Sequence, residues 1–263
     1  MPNKTKVIAF ANNKGGSGKT TAAANVGYSL SLKGKKVLLI DADMQMNLTL
    51  SFFDEEKVME FASGSCNIYR AVTDRLPFED CIVKTAYKGL DIIPSSTLMS
   101  SMEFKLFKEK EREFCLAKGL APVIESERYD YILIDSPPTL GCLVLNILTA
   151  SDYVIMPVEA SPWGLFGVAN MFEFLESAKE FNDSLSLLGI LITKVNTRKN
   201  YYKQTLENLK ATPGVRVFDT VIRIDSEVEW AQDNSMPVAA YKKSARSGAE
   251  YMELSKEVTR LCR

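Results

Sequence analysis

The stretch KGGSGKTT at residues 14–21 lies between an apolar run at residues 7–11 and a segment with the pattern of a helix. Closely spaced glycines let a backbone fold tightly enough for successive N–H groups to point at phosphate oxygens, and a helix that follows adds the positive end of its dipole. A chance Gly-Lys turn is the alternative, but such a turn would not need a strand before it and a helix after it. The stretch therefore predicts a phosphate-binding loop.

The loop contains two lysines, Lys14 and Lys19, for which different roles are expected. Lys19 would reach the β- and γ-phosphates of a nucleotide, and the Thr20 hydroxyl would ligate Mg²⁺. In the usual pattern G-x-x-x-x-G-K-S/T, a glycine stands where this chain has Asn13, and Lys14 follows as a second cation. Only one lysine is needed in cis, so Lys14 requires a separate explanation. The predicted nucleotide-binding residues of the loop are Gly15, Gly16, Ser17, Gly18, Lys19, Thr20 and Thr21.

The composition limits the chemistry that the chain can perform. Its 263 residues include Lys+Arg 32 and Asp+Glu 33, so any contact with nucleic acid must come from a local basic patch. There is no histidine, which leaves carboxylates, lysines and a bound cation as the chemical groups. The five cysteines contain no C-x-x-C, which argues against a disulfide framework or a zinc site. No apolar run approaches the ~18 residues of a membrane span, so we expect a cytoplasmic protein.

Two further apolar runs end in carboxylates. Residues 37–40 lead into Asp41 and Asp43, and residues 131–134 lead into Asp135. In open α/β sheets the ligand lies beyond the carboxyl ends of the strands, so these side chains are predicted beside the nucleotide. Asp135 would accept a hydrogen bond from a Mg²⁺-bound water. For Asp41 and Asp43 the alternative is ordinary turn hydrogen bonding at a strand end.

The alternation of apolar runs and helical patterns predicts the fold class. Strands are expected at residues 7–11, 37–40, 90–94, 131–134, 153–156 and 187–192, and helices at residues 21–32, 67–75, 98–121 and 163–181. This order predicts an α/β P-loop NTPase with a mostly parallel, twisted sheet and helices on both faces. Because no linker or internal repeat is visible, residues 1–263 are expected to form a single domain.

Three pieces of this sequence together resemble one family. They are the two-lysine loop, the motif D-x-D-x-Q-x-N at residues 41–47, and IDSPP at residues 134–138. The combination resembles the ParA/MinD family of deviant Walker-type ATPases, and most closely its ParA (Soj-like) DNA-partitioning branch. The resemblance runs nearly end to end, and its motifs are more specific to the family than to a branch.

The resemblance implies a reaction and the residues that perform it. Two subunits would close face to face over two ATP molecules, with Lys14 of each reaching the nucleotide of the other, like an arginine finger supplied in trans. Asp43 matches the position that activates the attacking water, Asp41 supports the metal shell and Asp135 is the Walker B carboxylate. The implied catalytic residues are Lys14, Lys19 and Asp43, and the implied Mg²⁺ residues are Thr20, Asp41 and Asp135.

The same resemblance implies partners. The ATP-bound homodimer would bind double-stranded DNA non-specifically, and a ParB-type centromere-binding protein would stimulate hydrolysis to segregate a plasmid or chromosome. Residues 1–5, before the first predicted strand, are too few to form a domain, so we expect no separate N-terminal DNA-binding domain. The expected location is the cytoplasm, in association with the nucleoid.

The chain departs from the family pattern at several positions. Met44 and Met46 stand where the family usually has proline and glycine, so this loop is expected to move differently. Asn196 stands where an aspartate is common, and it either recognises adenine or caps a strand end. Ile224 and Glu227 occupy places that carry arginines in the Soj-like branch.

A basic patch is still predicted near the C-terminal end of the chain. Non-specific DNA affinity comes from positive charges summed over a dimer, whereas scattered solvated side chains are the alternative for each residue. The candidate residues are Arg198, Lys199, Lys203, Arg223, Lys242, Lys243 and Arg246.

A MinD-like membrane role, or the positioning of another cargo, is the main alternative function. Residues 248–263 have an apolar face that includes Leu254 and Val258, but three glutamates on the polar face would be repelled by an anionic bilayer. We therefore expect this helix to pack against the sheet, without stable membrane association. A buried structural role is favoured for Cys142 over an iron–sulfur ligand. A metabolic ligase would need a substrate pocket that the sequence does not identify.

Overall fold

The computed structural model describes residues 5–161, 166–198, 200–212 and 214–262. The strands of these ranges are β1 Lys6–Phe10, β2 Val37–Asp41, β3 Val83–Lys84, β4 Leu90–Ile93, β5 Tyr131–Asp135, β6 Tyr153–Glu159 and β7 Ser186–Thr193. They form one sheet in the order β3-β4-β2-β5-β1-β6-β7. All neighbouring pairs are parallel except β3 and β4, which are antiparallel. The six predicted strands are confirmed, and the short edge strand β3 was not predicted.

Helices lie on both sides of this sheet. The α-helices of the described ranges are α1 Lys19–Leu32, α2 Asn47–Leu50, α3 Glu55–Ser63, α4 Ile68–Thr73, α5 Met102–Leu106, α6 Cys115–Glu125, α7 Cys142–Thr149, α8 Phe166–Lys179, α9 Asn200–Ala211, α10 Glu227–Asp233, α11 Val238–Tyr241 and α12 Arg246–Leu261. Short 3-10 helices span Phe78–Cys81, Thr97–Ser101 and Arg112–Phe114. The predicted helix at residues 163–181 corresponds to α8, and its residues 163–165 lie outside the described residues.

Alternate side chains of the central strands point to opposite faces of the sheet, and each face is covered. On one face, Ile8 and Leu133 belong to a buried apolar cluster with α1 and α12. On the other face, Val7 and Ile132 belong to a second cluster with α4, α6, α7 and α8. Burial on both faces explains why β2 and β5 are continuous apolar runs. The predicted α/β class with helices on both faces is confirmed.

The strand register brings the predicted site residues to one edge of the sheet. Asp135 at the end of β5 pairs with Asp41 at the end of β2 and with Phe10 at the end of β1. The glycine-rich loop follows β1 directly, and α1 starts at Lys19. Loop and carboxylates therefore meet at the carboxyl ends of three adjacent parallel strands, as expected for a nucleotide site.

The prediction of one long helix at residues 98–121 is wrong. The chain there forms two 3-10 helices and α5 before α6 begins at Cys115. Glu111 has a φ of 52°, a left-handed conformation that interrupts any right-handed helix. Phe104 and Phe107 are 63% and 60% exposed, so they do not belong to a buried helix stripe. Pro122 lies inside α6 and not at the end of a helix.

The C-terminal helix α12 packs against the core of its own chain. Its apolar residues Tyr251, Leu254 and Val258 are buried in the cluster that also contains α1. Its Glu257 carboxylate is buried too and accepts hydrogen bonds from the N–H groups of Asp219, at 2.9 Å, and Thr220, at 3.2 Å. The apolar face predicted for this helix is thus occupied. Within the described ranges, every helix is too short or too polar to cross a bilayer.

Candidate nucleotide-binding site

The phosphate-loop sequence forms a tight turn between β1 and α1. Gly16 and Gly18 have φ values of 70° and 91°, a conformation that L side chains rarely adopt. A Cβ on Gly18 would lie 3.5 Å from the Thr193 side chain. The Thr193 hydroxyl in turn donates to the Ser17 carbonyl oxygen at 2.7 Å. The end of β7 therefore holds the loop in place.

Lys19 is the buried cation of this loop. Its side chain is almost fully buried, and its Nζ donates to the Lys14 carbonyl oxygen at 3.3 Å. Burial is the largest influence and lowers the pKa of Lys19, and the charges of Asp135 and Asp43 oppose part of that shift. The two carboxylates therefore favour the ammonium form, which is the form that binds phosphate.

Asp135 is fully buried at the end of β5. Neither carboxylate oxygen has a hydrogen-bond partner among the described residues. Burial is the largest cause that raises the pKa of Asp135, and the charge of Asp41 raises it further. The nearby Thr20 hydroxyl and Lys19 ammonium lower it. A buried carboxylate that lacks partners and lies near a hydroxyl offers the hard oxygen atoms that Mg²⁺ prefers. Thr20 and Asp135 therefore fit the predicted metal site.

Asp41 is also fully buried, but its oxygens have partners. One oxygen accepts the Thr49 N–H at 2.8 Å and the Thr49 hydroxyl at 2.7 Å, and the other accepts the Asp43 N–H at 3.2 Å. Burial raises the pKa of Asp41 to about 6, and these hydrogen bonds oppose that rise. These contacts organise the loop after β2. A role for Asp41 in the metal shell stays a prediction, and Thr49, the residue that holds its carboxylate, was missed at the sequence level.

Asp43 occupies a structured turn that faces the cleft. One of its carboxylate oxygens accepts the Gln45 N–H at 3.0 Å. Its backbone carbonyl accepts the Met46 N–H at 3.0 Å and the Ser95 hydroxyl at 2.7 Å. The side chain that is predicted to activate water is therefore carried on a backbone fixed from two directions.

Met46 holds the same turn from the other side. It has a φ of 56°, a left-handed conformation that costs a non-glycine residue about 1–2 kcal/mol. Its side chain is buried with Val58 and Ala62 of α3. Met44, in contrast, is 43% exposed. At residue 46, where the family usually has glycine, this chain thus has a strained backbone and a buried side chain.

Lys14 is held by residues of its own subunit. Its Nζ lies 3.1 Å from a Glu159 carboxylate oxygen and 3.1 Å from the Ser161 hydroxyl oxygen. Glu159 ends β6, which neighbours β1 in the sheet. No sequence motif pointed to Glu159, because its relation to the loop arises only from the strand order.

A cleft of about 850 Å³ adjoins the loop. Its lining residues come mainly from the phosphate loop, the turn after β2, the end of β7, the segment that leads into α10, and α10 itself; among them are Asp43, Gln45, Lys194, Arg223 and Gln232. Asn196 is not among the described residues that line this cleft. Its side-chain oxygen accepts the Arg198 N–H at 3.1 Å. These contacts match the strand-end alternative for Asn196, and adenine recognition stays a prediction.

The candidate DNA-binding residues fall into three groups. Arg198, Lys203 and Lys243 are exposed. Arg223 and Arg246 both form ion pairs with Glu250, and Lys242 forms one with Glu227. Lys199 lies outside the described residues. Acidic side chains therefore offset part of the predicted basic patch, and Glu227 is one of the departures noted in the sequence.

Comparisons with known proteins identify related chains. A family model described as AAA domain matches residues 5–187. The sporulation initiation inhibitor protein Soj of Bacillus subtilis is 35% identical over 254 residues, which cover 96% of this chain and 98% of Soj. The chromosome partitioning protein ParA of Caulobacter vibrioides is 32% identical over 257 residues, which cover 97% of this chain and 94% of that protein.

A solved structure shows a similar fold. Cobyrinic acid a,c-diamide synthase from Mycobacterium smegmatis, with bound ADP and magnesium, has a TM-score of 0.81 and 28% identity. The similarity covers 97% of this chain and 94% of that chain.

The fold and the site define a P-loop nucleotide-binding protein of the α/β class. The two-lysine loop and the similarity to Soj and ParA over nearly the whole chain identify the family within this class. The chain belongs to the ParA/MinD family of deviant Walker-type ATPases, as the sequence motifs predicted.

Proposed function

We propose that this protein is a Mg²⁺-dependent partitioning ATPase. It dimerises on ATP, binds DNA non-specifically as a dimer, and hydrolyses ATP to segregate a plasmid or chromosome with a ParB-type centromere-binding partner. The similarity to Soj and to Caulobacter ParA supports this function. The ADP and magnesium in the mycobacterial synthase structure support ATP and Mg²⁺ as the cofactors.

The position of Lys14 is the observation that carries the proposal. Lys19 lies in the field of Asp135 and Asp43, whereas Lys14 is 3.1 Å from Glu159 at the end of another strand. Lys14 is not among the described residues that line the cleft, so its ammonium, once released from Glu159, would be able to act on the nucleotide of a neighbouring subunit. That arrangement supports a dimer closed by nucleotide, with Lys14 acting in trans on transition-state charge.

The remaining site residues have roles that follow from their chemistry. Lys19 and the loop N–H groups would hold phosphate oxygens, and Thr20 and Asp135 would hold Mg²⁺, which neutralises phosphate charge when bound. Asp43 would orient or activate the attacking water, because it is a carboxylate on a fixed turn in the cleft. Asp41 would act through the loop that it organises.

The DNA-bound state would place the protein in the cytoplasm on the nucleoid. Exposed Arg198, Lys203 and Lys243 support binding to a phosphate backbone, because each cation near DNA releases a counterion. The alternative is a MinD-like or other cargo-positioning ATPase at a membrane or protein scaffold. Burial of the apolar residues of α12 speaks against the membrane version of that alternative.

The decisive experiment measures retention on two surfaces. Immobilised non-specific double-stranded DNA and anionic liposomes are each presented with the protein plus ATP, ADP or no nucleotide. We expect retention on DNA with ATP alone and no retention on liposomes. ATP-dependent binding to liposomes without DNA retention would favour the MinD-like alternative, and retention on neither surface would reject both membrane and DNA versions.

A further inference from the structure

Lys194, directly after β7, adopts an unusual backbone conformation. Its φ is 52°, in the left-handed region that lysine rarely adopts. The preceding Thr193 is fixed by its 2.7 Å hydrogen bond to the Ser17 carbonyl oxygen. Left-handed non-glycine residues persist only where the surrounding structure enforces them, and they cluster at functional sites. The end of β7 therefore fixes the position of Lys194 relative to the phosphate loop.

The Lys194 ammonium lies over the phosphate loop. Its Nζ is 3.8 Å from the position that a Cβ would take on Gly16. The residue is exposed and lines the cleft together with Gly15, Gly18 and Asp43. A cation is thus placed beside the glycines whose N–H groups are expected to face phosphate oxygens.

Among the described residues, Lys14, Lys19 and Lys194 lie in or beside this loop, and their partners differ. Lys14 is paired with Glu159, and Lys19 is hydrogen-bonded to the Lys14 carbonyl oxygen near two aspartates. Across the ranges that the structure describes, the Lys194 ammonium forms neither a salt bridge nor a hydrogen bond. Of the three, Lys194 is the one whose ammonium is not paired with a protein group in those ranges.

We propose that Lys194 is a further nucleotide-binding residue, which contacts the phosphates that ADP and ATP share. The N–H groups of a phosphate loop cradle the α- and β-phosphates, and Gly16 belongs to that part of the loop. A lysine ammonium is a compact charge on a flexible stem and suits a phosphate oxygen. Because both nucleotides carry these phosphates, Lys194 strengthens the binding of both by the same factor.

This assignment rests on nucleotide binding by the loop and is independent of DNA binding. It also separates Lys194 from Lys14, whose proposed task concerns the neighbouring subunit. Lys194 acts within its own subunit, so it contributes before any dimer forms.

Calorimetric titration with Mg²⁺–ADP and with a non-hydrolysable ATP analogue tests the proposal. In Lys194→Gln, we expect the Kd for both ligands to rise by about five- to twentyfold, as for loss of one charge-assisted contact at a partly exposed site. Lys194→Arg keeps the charge and should stay within about threefold of the wild type. Lys210→Gln, which removes an exposed lysine near the end of α9, should leave both Kd values unchanged.

Two results would overturn the assignment. One is an unchanged Kd for both ligands in Lys194→Gln, with thermal unfolding confirming that the variant is folded. The other is a rise for the ATP analogue alone, which would place Lys194 at the γ-phosphate. A wild-type protein that binds neither ligand would instead reject the phosphate-loop assignment, and a wild type that binds both but is not retained on DNA would reject only the partitioning function.

Discussion

The Lys14 ammonium and the Glu159 carboxylate lie 3.1 Å apart, although the two residues are 145 positions apart in the sequence. The pair joins the loop after β1 to the end of β6, and Ser161 accepts a second hydrogen bond from the same ammonium. The side chains are 27% and 32% exposed. The lysine that is proposed to act on a neighbouring subunit is therefore retained by its own subunit in this conformation.

Glu159→Gln should shift the ATP-dependent equilibrium towards the dimer. Lys14 must leave Glu159 to act in trans, and a partly exposed ion pair is worth about 0.2–1 kcal/mol, or up to about fivefold for each subunit. Analytical ultracentrifugation with a non-hydrolysable ATP analogue measures the dimer dissociation constant. Glu176→Gln removes the exposed partner of Lys179, at 2.7 Å, and should have no effect. A weaker dimer in Glu159→Gln would mean that Glu159 supports the dimer.

Asp43→Asn should bind ATP normally and accumulate as a dimer that turns over slowly. The amide keeps an acceptor for the Gln45 N–H but cannot take a proton from water, so we expect kcat to fall on the order of a hundredfold or more. Phosphate release and nucleotide binding are measured in parallel. In Lys19→Ala, by contrast, nucleotide binding itself should be lost. Normal turnover in Asp43→Asn would reject water activation by this carboxylate.

Thr49→Val should destabilise the protein more at pH 8 than at pH 5. Burial raises the pKa of Asp41 to about 6, so between the usual aspartate pKa and that value Asp41 ionises in the unfolded state but stays protonated in the folded state, and stability falls as pH rises. The Thr49 hydroxyl, at 2.7 Å, stabilises the ionised form. Its removal should raise the pKa further, and at pH 8 it should cost about 1.5–3 kcal/mol of unfolding free energy.

Urea unfolding at both pH values measures this difference. Valine has nearly the shape of threonine, so little packing is lost with the hydroxyl. Thr49→Ser keeps the hydroxyl donor and should show a much smaller pH dependence of the stability change. A loss of the same size at pH 5 and pH 8 would show that the hydroxyl does not act through the Asp41 charge.

Local patterns in the sequence were sufficient to predict the loop, the strand ends and the fold class. The apolar run before Asp135 must be buried on both faces, and parallel strands bring their carboxyl ends to one edge. The Lys14–Glu159 pair could not be predicted, because it depends on β6 lying beside β1. The prediction of a helix at residues 98–121 was wrong because the helical spacing of apolar residues does not reveal that Glu111 adopts a left-handed conformation.

Comparison of Met46→Gly with Met46→Ala should separate strain from burial at the turn that carries Asp43. Both variants lose a side chain buried with Val58, which should cost about 2 kcal/mol or more. Only glycine relieves the φ of 56°, so the glycine variant should be more stable than the alanine variant by about 0.5–1 kcal/mol. Urea unfolding measures both. Equal or greater stability of the alanine variant would show that the conformation is not strained.

The ion pairs in the basic patch lead to a prediction about DNA. Glu227→Gln releases Lys242, so a dimer should gain one available cation in each subunit. We expect retention on non-specific DNA to strengthen, and the slope of log K against log salt concentration to steepen by about 0.9 for each cation gained. Glu250 is a poorer target, because it also accepts the Arg223 backbone N–H at 2.9 Å and supports the local fold.

Glu253→Gln is the matched control for this experiment. It removes one negative charge and one exposed ion pair, with Lys256 at 2.6 Å, from the same C-terminal region. If both variants strengthen DNA retention equally, the effect is one of net charge and Lys242 has no special position. If Glu227→Gln alone steepens the slope of log K against log salt concentration, Lys242 contacts the phosphate backbone. Glu227 then weakens DNA binding in this chain by pairing with Lys242.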